Sequence, residues 1–249
     1  MSTVEAVKPT YVYGLIKADA AVPDDLAGLG PSGRVSTIRH GRVAAIVSDV
    51  PVGRPLGTRD DLVAHESVLD AVAAHAAVVP MRFPAVVEEH AVVDELLAPN
   101  EEHFLELLEG FEGQVQFTLT GRYEQDAVLR EVLAEDEEIR ALRERVRGLP
   151  EDASYYDRVR LGELVVKAIE ERREDDGARI VERLQPFAVA VVTNQLAAPD
   201  DVVNAAFLVE RRRRQEFEEA VEGVGADLVG RVRLRLIGPI APYDFAPQE

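Results

Sequence analysis

The residues best suited to chemistry in this sequence are five histidines, a glycine-rich segment, many carboxylates and one run of arginines. No two of the histidines lie three or four positions apart, so no helical turn would present a pair of them to a metal ion. His65 lies among apolar residues at helical spacing, which indicates a packed, hydrogen-bonded side chain rather than a ligand. The sequence therefore predicts no metal site. The histidines are His40, His65, His75, His90 and His103.

Three glycines, Gly28, Gly30 and Gly33, have the spacing G-x-G-x-x-G of a phosphate-binding loop. Their surroundings argue against that role, because no strand immediately precedes them and Pro31 removes an amide donor from the loop. A strand pattern rather than a helix follows, so no helix N-terminus is offered to a phosphate. The 46 acidic residues are too many to single out a catalytic pair. We expect no catalytic residue, no cofactor and no enzymatic activity.

The most concentrated basic segment runs from Arg211 to Arg214. One interpretation is a solvated helix start in which the arginines pair with Glu216 and Glu218. Arginines in the first turn of a helix interact unfavourably with the helix dipole, however. An unfavourable local feature that nothing nearby compensates favours a functional role. The alternative prediction is that this segment binds a partner, through Arg211, Arg212, Arg213 and Arg214.

Composition limits the class of partner. A formal net charge of −18 would repel a nucleic-acid duplex or an anionic membrane, so neither is an expected partner. The chain has no cysteine, which excludes disulfides, thiolate chemistry and cysteine zinc sites. No apolar run approaches the ~18 residues that span a bilayer, and the N-terminus has no signal-peptide pattern. We expect a cytoplasmic protein whose 249 residues form two domains.

The N-terminal part has the pattern of an α+β domain. Tyr11–Ile16 is predicted as a strand, and two further strands form a hairpin around His40-Gly41, where glycine allows positive φ. Thr58 can cap a helix together with Asp61. The predicted apolar stripe of that helix is Leu62, His65, Leu69, Val72 and Ala76. The remaining elements are an edge or interrupted strand at 78–87, with prolines at 80 and 84, and helices at 92–97 and 101–111.

The C-terminal part has the order strand, helical region, strand, strand, helix, strand. This βαββαβ order predicts a ferredoxin-like domain with a helical insertion. The insertion is broken at Pro150, and its charge run Glu170–Asp176 is interpreted as a solvated face with a helix end at Gly177. Gly223 and Gly225 are predicted to end the last helix. The predicted strands are 114–121, 187–192, 204–209, buried on both faces, and 231–236, and the helical regions are 124–184 and 211–225.

The fold class predicted is thus α+β with two domains. Residues 1–113 form the N-terminal domain, 114–237 the ferredoxin-like domain, and 238–249 a proline-containing tail.

Several ordered landmarks carry a family resemblance. The C-terminal part has Asn204–Val209, a charged helix containing Phe217, and the run Arg235-Leu-Ile-Gly-Pro239 followed by Tyr243 and Phe245. The N-terminal part has Tyr-Val-Tyr-Gly at 11–14, His-Glu at 65–66 and Val-Pro-Met-Arg-Phe at 79–83. Together these motifs resemble the gas vesicle GvpL/GvpF family over almost the whole chain. The departures are Pro84-Ala85, where the family has Gly-Thr, and Ile240, where it has an aromatic residue.

The resemblance implies an accessory protein of gas vesicles that is cytoplasmic, associates with the vesicles and binds their small apolar shell subunit, assisting nucleation or assembly of the shell. It also implies contacts with other accessory proteins, and it carries over no catalytic residue. An open strand edge or apolar groove could hold an aggregation-prone subunit in solution. Candidate contacts are the segment Pro80–Pro84, the arginine segment, and the tail residues Pro239, Tyr243 and Phe245; packing of the tail on its own chain is the alternative.

A rival hypothesis is a small-molecule enzyme or sensor on a ferredoxin-like scaffold, which would need a pocket lined by His65 or His90 with converging carboxylates. A nucleic-acid role for the arginine segment would show affinity that falls steeply with salt.

Overall fold

The computed structural model describes residues 8–30, 32–51 and 53–247, with the backbone alone at Glu151. Pro31 and the last two residues of the predicted tail therefore lie outside the described residues. The chain has a mixed α+β fold with two antiparallel sheets. The strands are β1 Pro9–Lys17, β2 Val35–His40, β3 Val43–Asp49, β4 Val79–Pro80, β5 Val86–Glu88, β6 Gln114–Tyr123, β7 Ala190–Thr193, β8 Asp201–Glu210 and β9 Val232–Ile240. The helices are α1 Arg59–Ala73, α2 Glu89–Ala91, α3 Ala98–Gly110, α4 Gln125–Glu135, α5 Glu137–Val146, α6 Glu151–Leu184 and α7 Arg214–Asp227, with a π-helical turn at Val92–Leu97 and 3₁₀ turns at Gln185–Phe187 and Arg211–Arg213.

The first sheet has the strand order β2-β3-β1-β4, and β5 also pairs with β1. The predicted hairpin is confirmed: His40 pairs with Val43, and Gly41 has a φ of 52°. The predicted interrupted strand is confirmed as well, since β4 and β5 both pair with β1; Pro80 is the last residue of β4 and Pro84 lies in the break between the two strands. Met81 bridges the break, its N–H donating to the carbonyl of Tyr13 at 2.9 Å.

Helix α1 begins with the predicted capping box. The Asp61 N–H donates to the Thr58 hydroxyl oxygen, and the Thr58 N–H donates back to the Asp61 carboxylate. The predicted stripe is wrong at Leu62, which is 38% exposed. The buried face is instead rotated toward Asp61 and Val68, because the Asp61 carboxylate turns inward to bind Arg54 and the N–H groups of the loop before the helix.

The second sheet has the strand order β7-β8-β6-β9. Strand β8 is an inner strand and is buried along almost its whole length, as its continuous apolar run predicts. The prediction of a strand at 187–192 is wrong in its start, because Phe187 completes a 3₁₀ turn and pairing begins at Ala190. The prediction that Gly223 and Gly225 end the last helix is also wrong: α7 continues to Asp227, with Val224 buried between the two glycines.

The predicted helix end at Gly177 is wrong, since α6 runs through this residue to Leu184. A Cβ atom at Gly177 would overlap the carbonyl oxygen of Val202 in β8. The glycine therefore permits close packing of the helix on the strand, and it does not end the helix.

Two glycines of α6 provide a matched test of this role. We expect Gly177→Ala to lower the free energy of unfolding by about 1–3 kcal/mol, because the strand or helix must shift. Gly162→Ala should raise it by about 0.5–1 kcal/mol, because alanine favours the helix and nothing lies within 4 Å of its Cβ. Urea unfolding followed by far-UV circular dichroism measures both changes. Equal effects at the two positions would contradict the packing role of Gly177.

The chain divides into two compact units. The first unit comprises the described residues up to Phe117 together with Leu208–Arg212 and those from Gly238 onward, and the second comprises Thr118–Phe207 and Arg213–Ile237. The predicted domain boundary at residues 113 and 114 lies near Phe117, and the domain limits stay a prediction. Within the described residues, no helix combines the length and apolar character needed to cross a bilayer.

Candidate partner-binding site

Arg211, the first residue of the arginine segment, is engaged within the first unit. Its guanidinium donates to the carbonyl of Ala74 at 3.0 Å and to that of Ala73, at the C-terminal end of α1. Burial lowers the pKa of this guanidinium. A cation at this position satisfies carbonyls that the helix leaves unpaired and complements the negative end of its dipole. Arg211 thus caps a helix that lies far from it in sequence.

The other three arginines make ion pairs, of which those of Arg212 and Arg214 are exposed, whereas Arg213 is half-buried and also donates to the Pro186 carbonyl at 3.4 Å. Arg212 contacts the Glu210 carboxylate through two nitrogens at 3.0 Å, Arg213 contacts Glu216 at 3.0 Å, and Arg214 contacts Glu218 at 3.0 Å. Only Arg214 lies within α7, because the preceding three form a 3₁₀ turn, so the predicted conflict with the helix dipole is smaller than the sequence indicates. Exposed pairs of this kind stabilise a protein by less than about 1 kcal/mol each. They can be exchanged for pairs with a partner at little cost.

The residues after Gly238 belong to the first unit and bond to α1 and β6 within it. Asp70 of α1 accepts hydrogen bonds from the Ala241 N–H at 2.9 Å and the Tyr243 hydroxyl at 3.2 Å. Asp244 and Gln116 exchange two hydrogen bonds, one of them from the Asp244 N–H at 3.0 Å. Among the predicted contacts in this region, Pro239 is exposed and belongs to β9, whereas Tyr243 and Phe245 are half-buried. Their role in binding a partner stays a prediction.

His65 is a packed residue, as its spacing predicts. Its Nε2 lies 3.2 Å from the carbonyl oxygen of Met81, which can only accept, so Nε2 carries the proton. Nδ1 then accepts from the Tyr11 hydroxyl at 2.9 Å. Burial lowers the pKa of His65 to about 4. Both ring nitrogens of His65 are therefore hydrogen-bonded. His90, in contrast, is exposed, and its Nε2 lies 3.5 Å from the Oε2 of Glu88.

The glycine-rich loop does not have the geometry of a phosphate site. Strand β2 follows it, and the Gly28 N–H donates to the Gly33 carbonyl at 3.0 Å. The Leu29 N–H donates to the Tyr13 hydroxyl, which packs the loop on the core of the first unit. In the part of the chain that the structure describes, no group of three or more His, Cys, Asp or Glu residues could hold a metal ion.

A buried polar cluster in the second unit was not predicted. Asp176 is only 5% exposed and accepts hydrogen bonds from the Tyr123 hydroxyl and from Arg231, both at 2.6 Å. Arg231 also contacts Glu131 at 2.8 Å, and Arg172 bridges Glu131 and Glu135. The interpretation of 170–176 as a solvated face is therefore wrong at Asp176, which is buried. The two residues that bond to Asp176 lie more than 50 positions away in the sequence.

The cluster lies beside a polar cleft of about 660 Å³. Arg172 and Arg231 line this cleft and are already paired with carboxylates of the same cleft. Burial opposes the charge of Arg231, but its hydrogen bonds to Asp176 and Glu131 outweigh burial and raise its pKa. These ion pairs connect α4 and α6 to Arg231, the residue that precedes β9. The charged groups of the cleft thus hold elements of the fold together.

The chain is thus an α+β protein of two compact units. The arginine segment, the tail and His65 all form hydrogen bonds or ion pairs with other residues of the same chain. The sequence profile of the family described as "Gas vesicle synthesis protein GvpL/GvpF" matches residues 9–247. The chain belongs to this family, as its sequence motifs indicate.

Relatives from several organisms agree with this assignment. The chain is 34% identical to "Gas vesicle protein F" of Streptomyces sp. (strain CB03234), over 95% of this chain and 98% of the relative. It is 28% identical to "Gas vesicle protein L" of the same strain, over 95% of this chain and 92% of the relative. The crystal structure of GvpF from Anabaena sp. PCC7120 aligns with a TM-score of 0.82 over 97% of this chain and 99% of that chain, at 24% identity. This last likeness shows the fold.

Proposed function

We propose that this protein is a cytoplasmic accessory protein of gas vesicle formation, which associates with the vesicles, binds their small apolar shell subunit and assists nucleation or assembly of the shell. The observation that carries the proposal is the family match over residues 9–247. The names of the relatives, gas vesicle proteins F and L, support the same role.

The charge of the chain supports a role in keeping an apolar partner in solution. At −18, the protein stays soluble and repels other copies of itself. An apolar, β-prone shell subunit is at risk of aggregating before it is incorporated. A complex of the two would retain the charge of the accessory protein while covering part of the apolar surface of the subunit.

The arginine segment and the tail stay proposed contacts with the shell subunit or with other accessory proteins. Arg212 and Arg214 could exchange their exposed intrachain pairs for carboxylates of a partner, whereas Arg213 would also have to leave the Pro186 carbonyl. Arg211 and Tyr243 would first have to leave their hydrogen bonds to α1. We therefore expect the exposed arginines and Pro239 to contribute more to binding than Arg211, Tyr243 or Phe245.

We also propose that β6–β9 with their connecting helices form a ferredoxin-like domain that contains α4 and α5 as an insertion. Two observations support this description. The element order from β6 to β9 is strand, helices, strand, strand, helix, strand, and the spatial strand order is β7-β8-β6-β9. Numbered along the domain, that order is 2-3-1-4.

Co-expression tests the proposed function. The full-length chain carries an affinity tag and is produced together with the shell subunit encoded in the same organism. We expect the subunit to be retained through washing, and we expect deletion of the accessory gene to leave cells without normal vesicles. Failure to retain the subunit, together with normal vesicles in the deletion strain, would refute the proposal.

A further inference from the structure

The free edges of the two sheets differ in how they are protected against pairing. An exposed edge strand presents unpaired N–H and C=O groups, and natural proteins block such edges with charges, prolines or interruptions. In the described part of the chain, β2, the β4/β5 edge and β9 each carry at least one of these features. Strand β7 is short, at four residues, but Ala-Val-Val-Thr contains no charge and no proline. The features on the other edges are Arg39, Pro80, Glu88, Arg233, Arg235 and Pro239.

The outward-facing backbone groups of β7 can be assigned from its pairing. The strand has one neighbour in the sheet, β8. The Asn194 N–H donates to the Asn204 carbonyl of β8 at 2.7 Å. Because N–H and C=O groups alternate in direction along an antiparallel strand, Val192 also faces β8, and Val191 and Thr193 face away. These two residues present their N–H and C=O groups at the free edge of the sheet.

A groove lies beside this edge. It has a volume of about 370 Å³ and is lined by Ala188, Val189, Ala190 and Val191 together with Pro186 and two polar residues, Glu182 and Gln185. Val189 is 56% exposed, although it is apolar and β-branched. A groove between an edge strand and a helix is the arrangement in which proteins bind an extended peptide as an added strand.

We propose that the edge from Val189 to Thr193 binds an extended, uncharged apolar segment of the shell subunit as an additional strand of the second sheet. This inference rests on the proposed function and assigns a location to it. The main-chain groups of Val191 and Thr193 pair with the added strand, and the groove accepts its side chains.

Charge favours this occupant over a second copy of the chain. No charged residue lies between Pro186 and Asn194, so the strand edge itself matches an uncharged segment, and Glu182 contributes a charge to the groove beside it. Two copies joined at β7 would bring together two chains that each carry −18. Their mutual repulsion opposes that contact, whereas an apolar subunit meets no such repulsion.

Three variants test the location in the co-expression assay. Val191→Pro removes an outward N–H and places a ring in the path of the added strand, and it leaves the bonds of β7 to β8 in place. Val189→Lys instead places a charge in the groove. Val166→Lys is the matched control, because Val166 is also a 56% exposed valine of the second unit but lies on α6. We expect retention of the shell subunit to fall about tenfold or more for the first two variants and to stay unchanged for the control.

The possible outcomes separate the two proposals. Retention by wild type and equally by both edge variants would overturn the β7 site while leaving the proposed function standing. No retention by wild type would overturn the β7 site, and together with normal vesicles in the deletion strain it would refute the proposed function itself. A wild-type dimer in sedimentation that Val191→Pro converts to monomer would assign the edge to a second copy and overturn the proposal. Circular dichroism melting of each variant verifies folding, and Val189→Lys carries the test if Val191→Pro does not fold.

Discussion

Asp176→Ala is expected to lower the free energy of unfolding by about 3 kcal/mol. The substitution removes the acceptor of the Tyr123 hydroxyl and one of the two carboxylates that pair with Arg231. A buried hydroxyl without a partner costs about 1–3 kcal/mol. The guanidinium keeps Glu131, so the loss is smaller than for an isolated buried charge. The chain has no tryptophan, so urea unfolding is best followed by far-UV circular dichroism.

The neighbouring residue provides the control. Asp175 is an exposed carboxylate on the wall of the same cleft, and Asp175→Ala should change stability by no more than about 0.5 kcal/mol. Asp176→Asn should lie between the two, because the amide oxygen can still accept from Tyr123 while the charge is lost. If Asp175→Ala and Asp176→Ala had the same effect, the stability would depend on the charge of the segment and not on the buried cluster.

Sequence reasoning succeeded where the signal was local. The capping box joins Thr58 to a residue three positions later, and the hairpin at Gly41 joins strands that are adjacent in sequence. Alternating and continuous apolar runs likewise predicted β6, β8 and β9, because burial imposes a pattern on each strand by itself.

At three positions the role of a residue is determined by partners that are distant in sequence. Gly177 resembles a helix end, but its role is set by the carbonyl of Val202. Asp176 resembles one more solvated acid, but Tyr123 and Arg231 bury it. Arg211 resembles part of a basic surface, but it caps a helix that ends 138 positions earlier. Composition and periodicity carry no information about such pairings.

The β7 edge shows a different limit. The apolar run at 187–192 predicted a strand, and neither its place at the edge of the sheet nor the groove beside it follows from that pattern. An apolar strand is ordinary at the centre of a sheet and unusual at a free edge. The position of β7 at a free edge follows from the strand order and not from the sequence pattern.

The second large effect is expected in the pH dependence of stability, through His65. Its pKa is about 4 in the folded protein and about 6.5 in an unfolded chain. Because the folded value is the lower one, the unfolded state binds the proton first as the pH falls. The contribution of His65 is complete above about pH 6.5 and is lost progressively toward about pH 4. Protonation would also force Nδ1 to become a donor toward the Tyr11 hydroxyl.

Comparison with His65→Gln isolates this contribution, since glutamine retains one donor and one acceptor but does not titrate. Between about pH 7.5 and about pH 5, wild type should lose about 2 kcal/mol more unfolding free energy than the variant. The carboxylate of Asp61 has a lowered pKa, so its contribution is lost as the pH falls below the usual range of a carboxyl group. Burial raises the pKa of Asp70, which acts in the opposite direction, and both contributions are common to the two proteins and cancel in the difference. Parallel curves for wild type and His65→Gln would show that His65 titrates normally and is not held neutral by its buried position.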